Sequence, residues 1–526
     1  MAVKRYTWRE RDALPTTHRA VALGVFDGLH IGHRAVLAAA CGVIDEDGAI
    51  LTATALCMTG VPKHKSGRLL TAWREAQLLD TLGTDEWIEM PFEEVHELSP
   101  ERFVREILCD LLHARVVCCG YNYQFGKHGV GTVDTLRTLC EPLGIRVIVV
   151  NAVERDGKII SSTRVREAVA AGDMVTAAQL LGRPFSVELP VTDGDHRGRQ
   201  WGVPTLNQVF PADYAVPRYG VYASLVVVGE HQYHAVTNIG VHPTVGGVKE
   251  PQAETWIREF EGELYGKTVH VMLVRFLREE RCFAGVEELK KQIAIDAETA
   301  QAVLAGQSGE KAVIFDFDDT LQDRTAAFLA VARQLLSRHM HAADAEKLEQ
   351  YARQMCAENR GGYVDYSTFF HEFIKRWSFK EGVTGEQLLW EYHRLFPLHS
   401  ALYPETIAVL REIRQRGYRI GIITNGNPLL QNRKLDLTGL RLCTDLVMIS
   451  GDEGIHKPHP ELFRRAAARL GVAPENCVYV GDHPINDIKG AKSAGMQAIY
   501  LNTRDLDEHP NDVPEVRRLA DILNIL

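Results

Sequence analysis

Apolar and polar positions change rhythm along this chain, and each change predicts a different kind of structure. Ala20 to Phe26 is an almost unbroken apolar run, Asp27-Gly28 turns it, and Arg34 to Ala40 is helix-forming. That order predicts a buried parallel strand feeding a helix. Arg115 to Cys119 and Ile145 to Val150 repeat the strand signal, so residues up to about Gly182 are expected to form a doubly wound α/β unit with ligands at the carboxyl ends of its strands. From Arg183 to about Phe283 the runs shorten into β-rich pieces (Tyr219 to Val228, Gln232 to Ile239, Thr268 to Phe276) separated by Gly/Pro turns, which predicts a small antiparallel barrel. A helical stretch, Val286 to Ala305, closes that unit, and Gly306-Gln307-Ser308-Gly309-Glu310 reads as a linker. Ala312 to Phe315 opens a second strand-and-helix series, interrupted by helical periodicity from Thr325 to His399 that suggests a cap inserted into an α/β core.

Composition narrows the partners. A chain of 526 residues is long enough for about three cores. Its formal net charge of -10, without a long Lys/Arg block, argues against nucleic acid or an anionic membrane as the main partner. The ten cysteines are scattered without C-x-x-C or Cys/His zinc spacing, as expected for core thiols in a reducing compartment. Met1 to Trp8 lacks the apolar stretch of a signal peptide and no apolar segment approaches ~18 residues, so a cytoplasmic protein is expected.

Candidate chemistry begins at Gly24-Val25-Phe26-Asp27-Gly28-Leu29-His30-Ile31-Gly32-His33, an H-x-G-H pair at a strand-to-helix turn. Two imidazoles beside a helix N-terminus, which favours anions, suit an attacked α-phosphate. A plain Gly-rich connection is the alternative. Gly120-Tyr121-Asn122-Tyr123-Gln124-Phe125-Gly126-Lys127 follows, then Ile160-Ser161-Ser162-Thr163-Arg164-Val165-Arg166, which opens a helix with hydroxyls and guanidinium groups suited to a triphosphate or, more simply, to N-capping. Together with Gly182-Arg183-Pro184-Phe185, these motifs resemble the adenylyltransferase half of the bacterial bifunctional riboflavin kinase/FAD synthetase family over about residues 18 to 186. The resemblance implies a Rossmann-like nucleotidyltransferase moving AMP from MgATP to FMN, giving FAD and pyrophosphate. It places nucleotide binding at Gly24, Phe26, Asp27, Gly28, His30, His33, Ser162, Thr163 and Arg164, with His30 and His33 catalytic and Asn122 on the flavin side. Thr54-Ala55-Leu56-Cys57-Met58-Thr59-Gly60 stands where many relatives carry Phe-x-Pro-His-Pro, and Asn122 where many carry Asp.

In the barrel-like region, Gly194-Asp195-His196-Arg197-Gly198-Arg199 and Pro204-Thr205-Leu206-Asn207 combine glycines that admit phosphate with hard oxygen donors for Mg²⁺. Ordinary turns are the alternative. At this spacing the set resembles the riboflavin kinase module of the same family, roughly 187 to 305. The resemblance implies nucleotide binding by Gly198, Arg199, Thr205 and Asn207, Mg²⁺ ligation by Thr205 and Asn207, Glu254 as general base on the ribityl 5'-hydroxyl, and Arg278 on the flavin side. His242 stands where relatives usually have Arg, exchanging a permanent charge for one that titrates near neutrality.

Residues 312 to 320 end an apolar strand in D-x-D-x-T, which suits an aspartyl-phosphate route, a plain Mg²⁺ site or an acidic turn. Ile422-Ile423-Thr424-Asn425-Gly426, Lys457-Pro458 and Val480-Gly481-Asp482-His483-Pro484-Ile485-Asn486-Asp487 complete a set that resembles the haloacid dehalogenase superfamily over about 311 to 526. The resemblance implies a Rossmannoid core with a helical cap. Asp316 would be the nucleophile and Asp318 the acid and base, with Thr424, Asn425 and Lys457 on the phosphate. Mg²⁺ would be held by Asp316, Asp318 through its carbonyl, Asp482 and Asp487. A second Asp at 318 favours phosphatases, because a leaving alkoxide needs an acid.

The expected protein is thus multidomain, with units 1–182, 183–305 and 311–526, a linker 306–310 and a cap about 325–400. Its expected substrates and products are riboflavin, FMN, FAD and ATP with Mg²⁺, plus a phosphorylated small molecule that is either the pyrimidine phosphate on the way to riboflavin or FMN itself. Two other readings are a flavin carrier or sensor without useful turnover in the first half, and a nucleotidyltransferase serving another small phosphate ester.

Overall fold

The computed structural model describes residues 3–60, 67–192, 204–229, 231–243, 249–306, 309–341, 344–503 and 509–526. Three six-stranded sheets dominate it. The first contains β1 (Lys4–Thr7), β2 (Arg19–Gly24), β3 (Thr52–Thr59), β4 (Glu86–Pro91), β5 (Ala114–Gly120) and β6 (Arg146–Val150), all parallel, in the order β1-β4-β3-β2-β5-β6. The chain runs outward one way from β2 and the other way from β5, so the crevice between their carboxyl ends is the topological switch point. The strand expected over 20–26 stops at Gly24, because Phe26 (φ 54°) and Gly28 (φ 83°) turn the backbone left-handed before helix α1 (Ile31–Ala40). Helix α2 (Ser162–Ala171) follows a two-strand ribbon, β7 (Glu154–Arg155) and β8 (Lys158–Ile159).

The second sheet is antiparallel: β9 (Phe185–Pro190), β10 (Thr205–Val209), β11 (Gly220–Val228), β12 (His231–Pro243), β13 (Lys249–Ile257) and β14 (Thr268–Arg278), in the order β10-β13-β12-β11-β14-β9. It curls until its ends meet, where Thr192 just past β9 bridges Asn207 of β10. Helix α3 (Val286–Leu304) lays Ala300 and Leu304 on its outer face.

The third sheet is again parallel: β15 (Ala312–Phe315), β16 (Arg419–Thr424), β17 (Leu446–Ile449), β18 (Cys477–Gly481), β19 (Gln497–Leu501) and β20 (Glu515–Val516), in the order β17-β16-β15-β18-β19-β20. Its switch point lies between β15 and β18. Between β15 and β16 the chain makes α4 (Arg324–His339), α5 (Ala345–Glu358), α6 (Tyr366–Arg376) and α7 (Gly385–Leu395), packed around an aromatic core that includes Phe328, Phe370 and Tyr392, which is the inserted helical cap the sequence predicts. No helix among the described residues is long and apolar enough to cross a membrane.

Candidate active sites

The first site forms at the β2/β5 switch point. His30 is the N-cap of α1: its Nδ1 accepts from the His33 backbone N–H at 3.2 Å, and the two imidazoles stack with centroids 3.6 Å apart. Burial, with Arg183 and Arg166 nearby, pushes the His30 pKa down to about 3, so the ring is a neutral acceptor at physiological pH. Asp27 joins the turn to the second motif. Its carboxylate accepts from Arg166 and from the Leu69 N–H, while its carbonyl accepts from Ser162 Oγ at 3.0 Å. The H-x-G-H turn and the Ser-Thr-Arg helix start, well over a hundred residues apart in sequence, are thus brought to one wall. Ser161, rather than Ser162 or Thr163, caps α2. Arg164 donates to the Lys158 and Ile159 carbonyls, and Asn122 is exposed in the loop beyond β5.

On the barrel, Asn207 of β10 lies directly across from Glu254 of β13, which also pairs in register with Asn238 of β12. Thr205, two residues before Asn207, shares its face. An amide oxygen, a hydroxyl and a carboxylate therefore meet on one patch of sheet, a hard-oxygen set that fits Mg²⁺. Arg278 is turned to α3, where its Nε and Nη2 donate to both oxygens of Asp296 at 2.8 and 2.6 Å. Gly198 and Arg199 lie outside the described residues, as does the side chain of His242.

The third site sits at the β15/β18 switch point. Asp316, Asp482 and Asp487 are buried and bring one carboxylate oxygen each within 4.8 Å of the others, a donor set that fits a hard divalent cation. Lys457 Nζ donates to Asp316 Oδ1 and Asp487 Oδ1, both at 2.6 Å, and to the Tyr479 hydroxyl at 3.1 Å. Burial drives the Asp316 pKa up to about 7 against the pull of Lys457. Asn425 clamps the lysine's backbone, accepting its N–H at 2.9 Å and donating to its carbonyl at 3.0 Å. Asp318 is held apart from Lys457 by its own partners, Gln322 and Lys434. Burial raises its pKa, but Lys434 and Arg324 outweigh that and leave it net lowered. Gln431 donates to Asp318 at 3.0 Å and also to Thr424 Oγ1.

Three family models match the chain: FAD synthetase over residues 14–164, riboflavin kinase over 181–304 and haloacid dehalogenase-like hydrolase over 310–495. The bifunctional riboflavin kinase/FMN adenylyltransferase of Bacillus subtilis is 33% identical over 290 residues, covering 53% of this chain and 90% of that protein. The chain belongs to the bifunctional riboflavin kinase/FMN adenylyltransferase family. A phosphoserine phosphatase of Thermus thermophilus is 46% identical over 116 residues, 22% of this chain and 47% of that enzyme. A solved structure of a macrolide-efflux protein from Streptococcus pneumoniae superposes with a TM-score of 0.50 at 26% identity, covering 57% of this chain and 99% of that one.

This member of the riboflavin kinase/FMN adenylyltransferase family thus carries a third, hydrolase-like unit, and sequence reasoning missed part of its site. Gln431 and Lys434 lie on helix α8 (Pro428–Leu437), buried, with Lys434 Nζ donating to Asp318. The available signal was their spacing of three inside a helix that follows the Thr-Asn-Gly strand end, which puts both on one face. Thr320, quoted only as part of D-x-D-x-T, donates toward Asp316 at 3.3 Å and Asp482 at 3.4 Å. Tyr479, whose hydroxyl accepts from Lys457, comes from the middle of strand β18.

Proposed function

We propose that this chain phosphorylates riboflavin to FMN with ATP, adenylylates FMN to FAD, and hydrolyses a phosphomonoester in its third unit, with units 1–182, 183–305 and 311–526 and a linker 306–310. Family membership carries the first two activities, and the buried Asp316–Asp482–Asp487 triad against Lys457 carries the third.

In adenylyl transfer the nucleotide's phosphates lie at the N-terminus of α1, where backbone N–H groups and His33 face charge developing on the attacked α-phosphate. Gly24, Phe26, Asp27 and Gly28 shape the turn, Ser162, Thr163 and Arg164 hold the triphosphate, and Asn122 meets the flavin. In the kinase step Glu254 takes the proton from the ribityl 5'-hydroxyl as that oxygen bonds to the γ-phosphorus and the β,γ-bridging oxygen departs with ADP. Thr205 and Asn207 would hold Mg²⁺, Gly198 and Arg199 the nucleotide, and Arg278 the flavin side. In the hydrolase, an Asp316 oxygen bonds to phosphorus as the ester oxygen leaves, and Asp318, which Lys434 and Arg324 hold ionised before substrate arrives and which must therefore first take up a proton, gives that proton to the leaving oxygen. Asp318 then takes a proton from the water that releases phosphate from the aspartyl intermediate. Thr424, Asn425 and Lys457 hold or frame the phosphoryl oxygens. Asp316, Asp482, Asp487 and the Asp318 carbonyl would hold Mg²⁺, which when bound supplies neutralisation of the phosphoryl charge. Its substrate is proposed to be the pyrimidine phosphate that precedes riboflavin, because hydrolysis of FMN would undo the kinase on the same chain.

The test is incubation of purified protein with riboflavin, ATP and Mg²⁺, with products separated by chromatography. FMN followed by FAD is expected. Flavin binding with neither product formed would point to a carrier or sensor, and release of phosphate from added FMN would make FMN the hydrolase substrate.

A further inference from the structure

Helix α8 is buried, yet four consecutive residues in it are polar: Gln431, Asn432, Arg433 and Lys434 are each less than a tenth exposed. Buried charges persist only where they are paired, and here each face of the helix is paired with a different part of the molecule. Gln431 and Lys434 hold Asp318, as described. Arg433 donates to the His393 and Arg394 carbonyls at 2.8 and 3.2 Å, at the end of cap helix α7. The third face reaches the adenylyltransferase. Arg34, the residue after His33 on α1, forks onto Asp436 at 2.9 and 2.8 Å and donates to Asn432 Oδ1 at 3.1 Å. The Arg34 and Asp436 side chains are 5% and 3% exposed. Arg441 donates to Asp436 as well, at 2.7 Å.

Only a two-residue step along one rigid helix, from Asp436 to Lys434, therefore separates the nucleotide helix α1 from the proton-handling carboxylate of the hydrolase. Bidentate Arg–carboxylate pairs fix geometry as well as charge, and coupling between sites requires a physical element that both sites bias. We infer that α8 is a positioning element shared by the two sites. Arg34 and Asp436 act through Lys434 on Asp318, and nucleotide bound at His30 and His33 changes phosphate-ester turnover. The inference rests on the proposed function, in that both sites must be active.

The experiment follows hydrolysis of p-nitrophenyl phosphate at fixed free Mg²⁺, with and without α,β-methylene-ATP, in the wild type, Arg34→Met, Arg34→Lys and His33→Ala. Arg34→Met leaves Asp436 paired with Arg441, and a thermal melt reports whether it folds. The analogue should shift wild-type kcat by about 5-fold or more, the lower end of ordinary allosteric coupling, with little change in KM. Arg34→Met should lower basal kcat and lose the response, Arg34→Lys should restore part of both, and His33→Ala should lose the response. A wild-type kcat indifferent to saturating analogue overturns the inference. So does a response that survives Arg34→Met, or one that survives His33→Ala and so belongs to the kinase site. FAD synthesis is assayed alongside: a wild type inactive in either assay overturns the functional reading and the inference with it, whereas activity in both without coupling overturns the inference alone.

Discussion

The first and third sheets are the same scaffold used for opposite electrostatics. Both are parallel and six-stranded, and both put their chemistry where the strand order reverses, at β2/β5 and at β15/β18. The first lines its crevice with imidazoles, arginines and the N-terminus of α1, and its one motif carboxylate, Asp27, is engaged by Arg166. The third lines its crevice with four aspartates and one central lysine, and needs a bound cation to present that surface to a phosphate. The topology decides where a ligand sits, and the few residues after each central strand decide what charge meets it.

The contrast breaks most sharply at Asp316. Asp316→Asn keeps the size of the side chain and removes the proposed nucleophile, so phosphate release should fall by about 10³-fold or more while FAD formation is unchanged. On the barrel, Glu254→Gln should lower riboflavin phosphorylation by about 10²- to 10⁴-fold, the usual contribution of a general base, with FMN adenylylation intact. Lys434→Met retains the aliphatic stem and removes the charge on Asp318. It should lower hydrolase kcat by about 10-fold with a smaller change in KM, measured on p-nitrophenyl phosphate. The last effect is on stability and leaves the reactions at neutral pH untouched. His30 takes a proton near 6.5 when unfolded and near 3 when folded, so its contribution is complete above pH 6.5 and is lost as the pH falls from 6.5 towards 3, at up to about 1.4 kcal/mol per pH unit. Urea midpoints of the first unfolding transition should decline over that window in the wild type and decline less in His30→Asn.

The sequence made the three units legible because each motif is local: a strand end, a tight turn and the first residues of a helix. His30 with His33, and Asn207 with its neighbour Thr205, lie close enough in the chain to be read from local motifs. What stayed hidden was whatever depends on packing between distant segments. Asp27 meeting Arg166 and Asn207 facing Glu254 follow from strand order and register, which no single segment encodes. Arg278 illustrates the same limit: the family resemblance marks it as a candidate, but only the packing of α3 puts Asp296 against its fork. The polar face of α8 escaped notice because a helix of Gln, Asn, Arg and Lys ordinarily reads as solvent-exposed, and its burial is set by three neighbouring elements at once.

The central claim is that three separate strand-end sites run three separate reactions on one chain. It is tested most directly by giving wild type, Glu254→Gln, His33→Ala and Asp316→Asn the same mixture of riboflavin, ATP, Mg²⁺ and p-nitrophenyl phosphate, and following FMN, FAD and p-nitrophenol over time. The account predicts that Glu254→Gln stops FMN formation, that His33→Ala accumulates FMN without FAD, and that Asp316→Asn loses only p-nitrophenol release. Abolition of p-nitrophenol release in His33→Ala, as opposed to the roughly 5-fold change expected from lost nucleotide coupling, or undiminished release in Asp316→Asn, would contradict it.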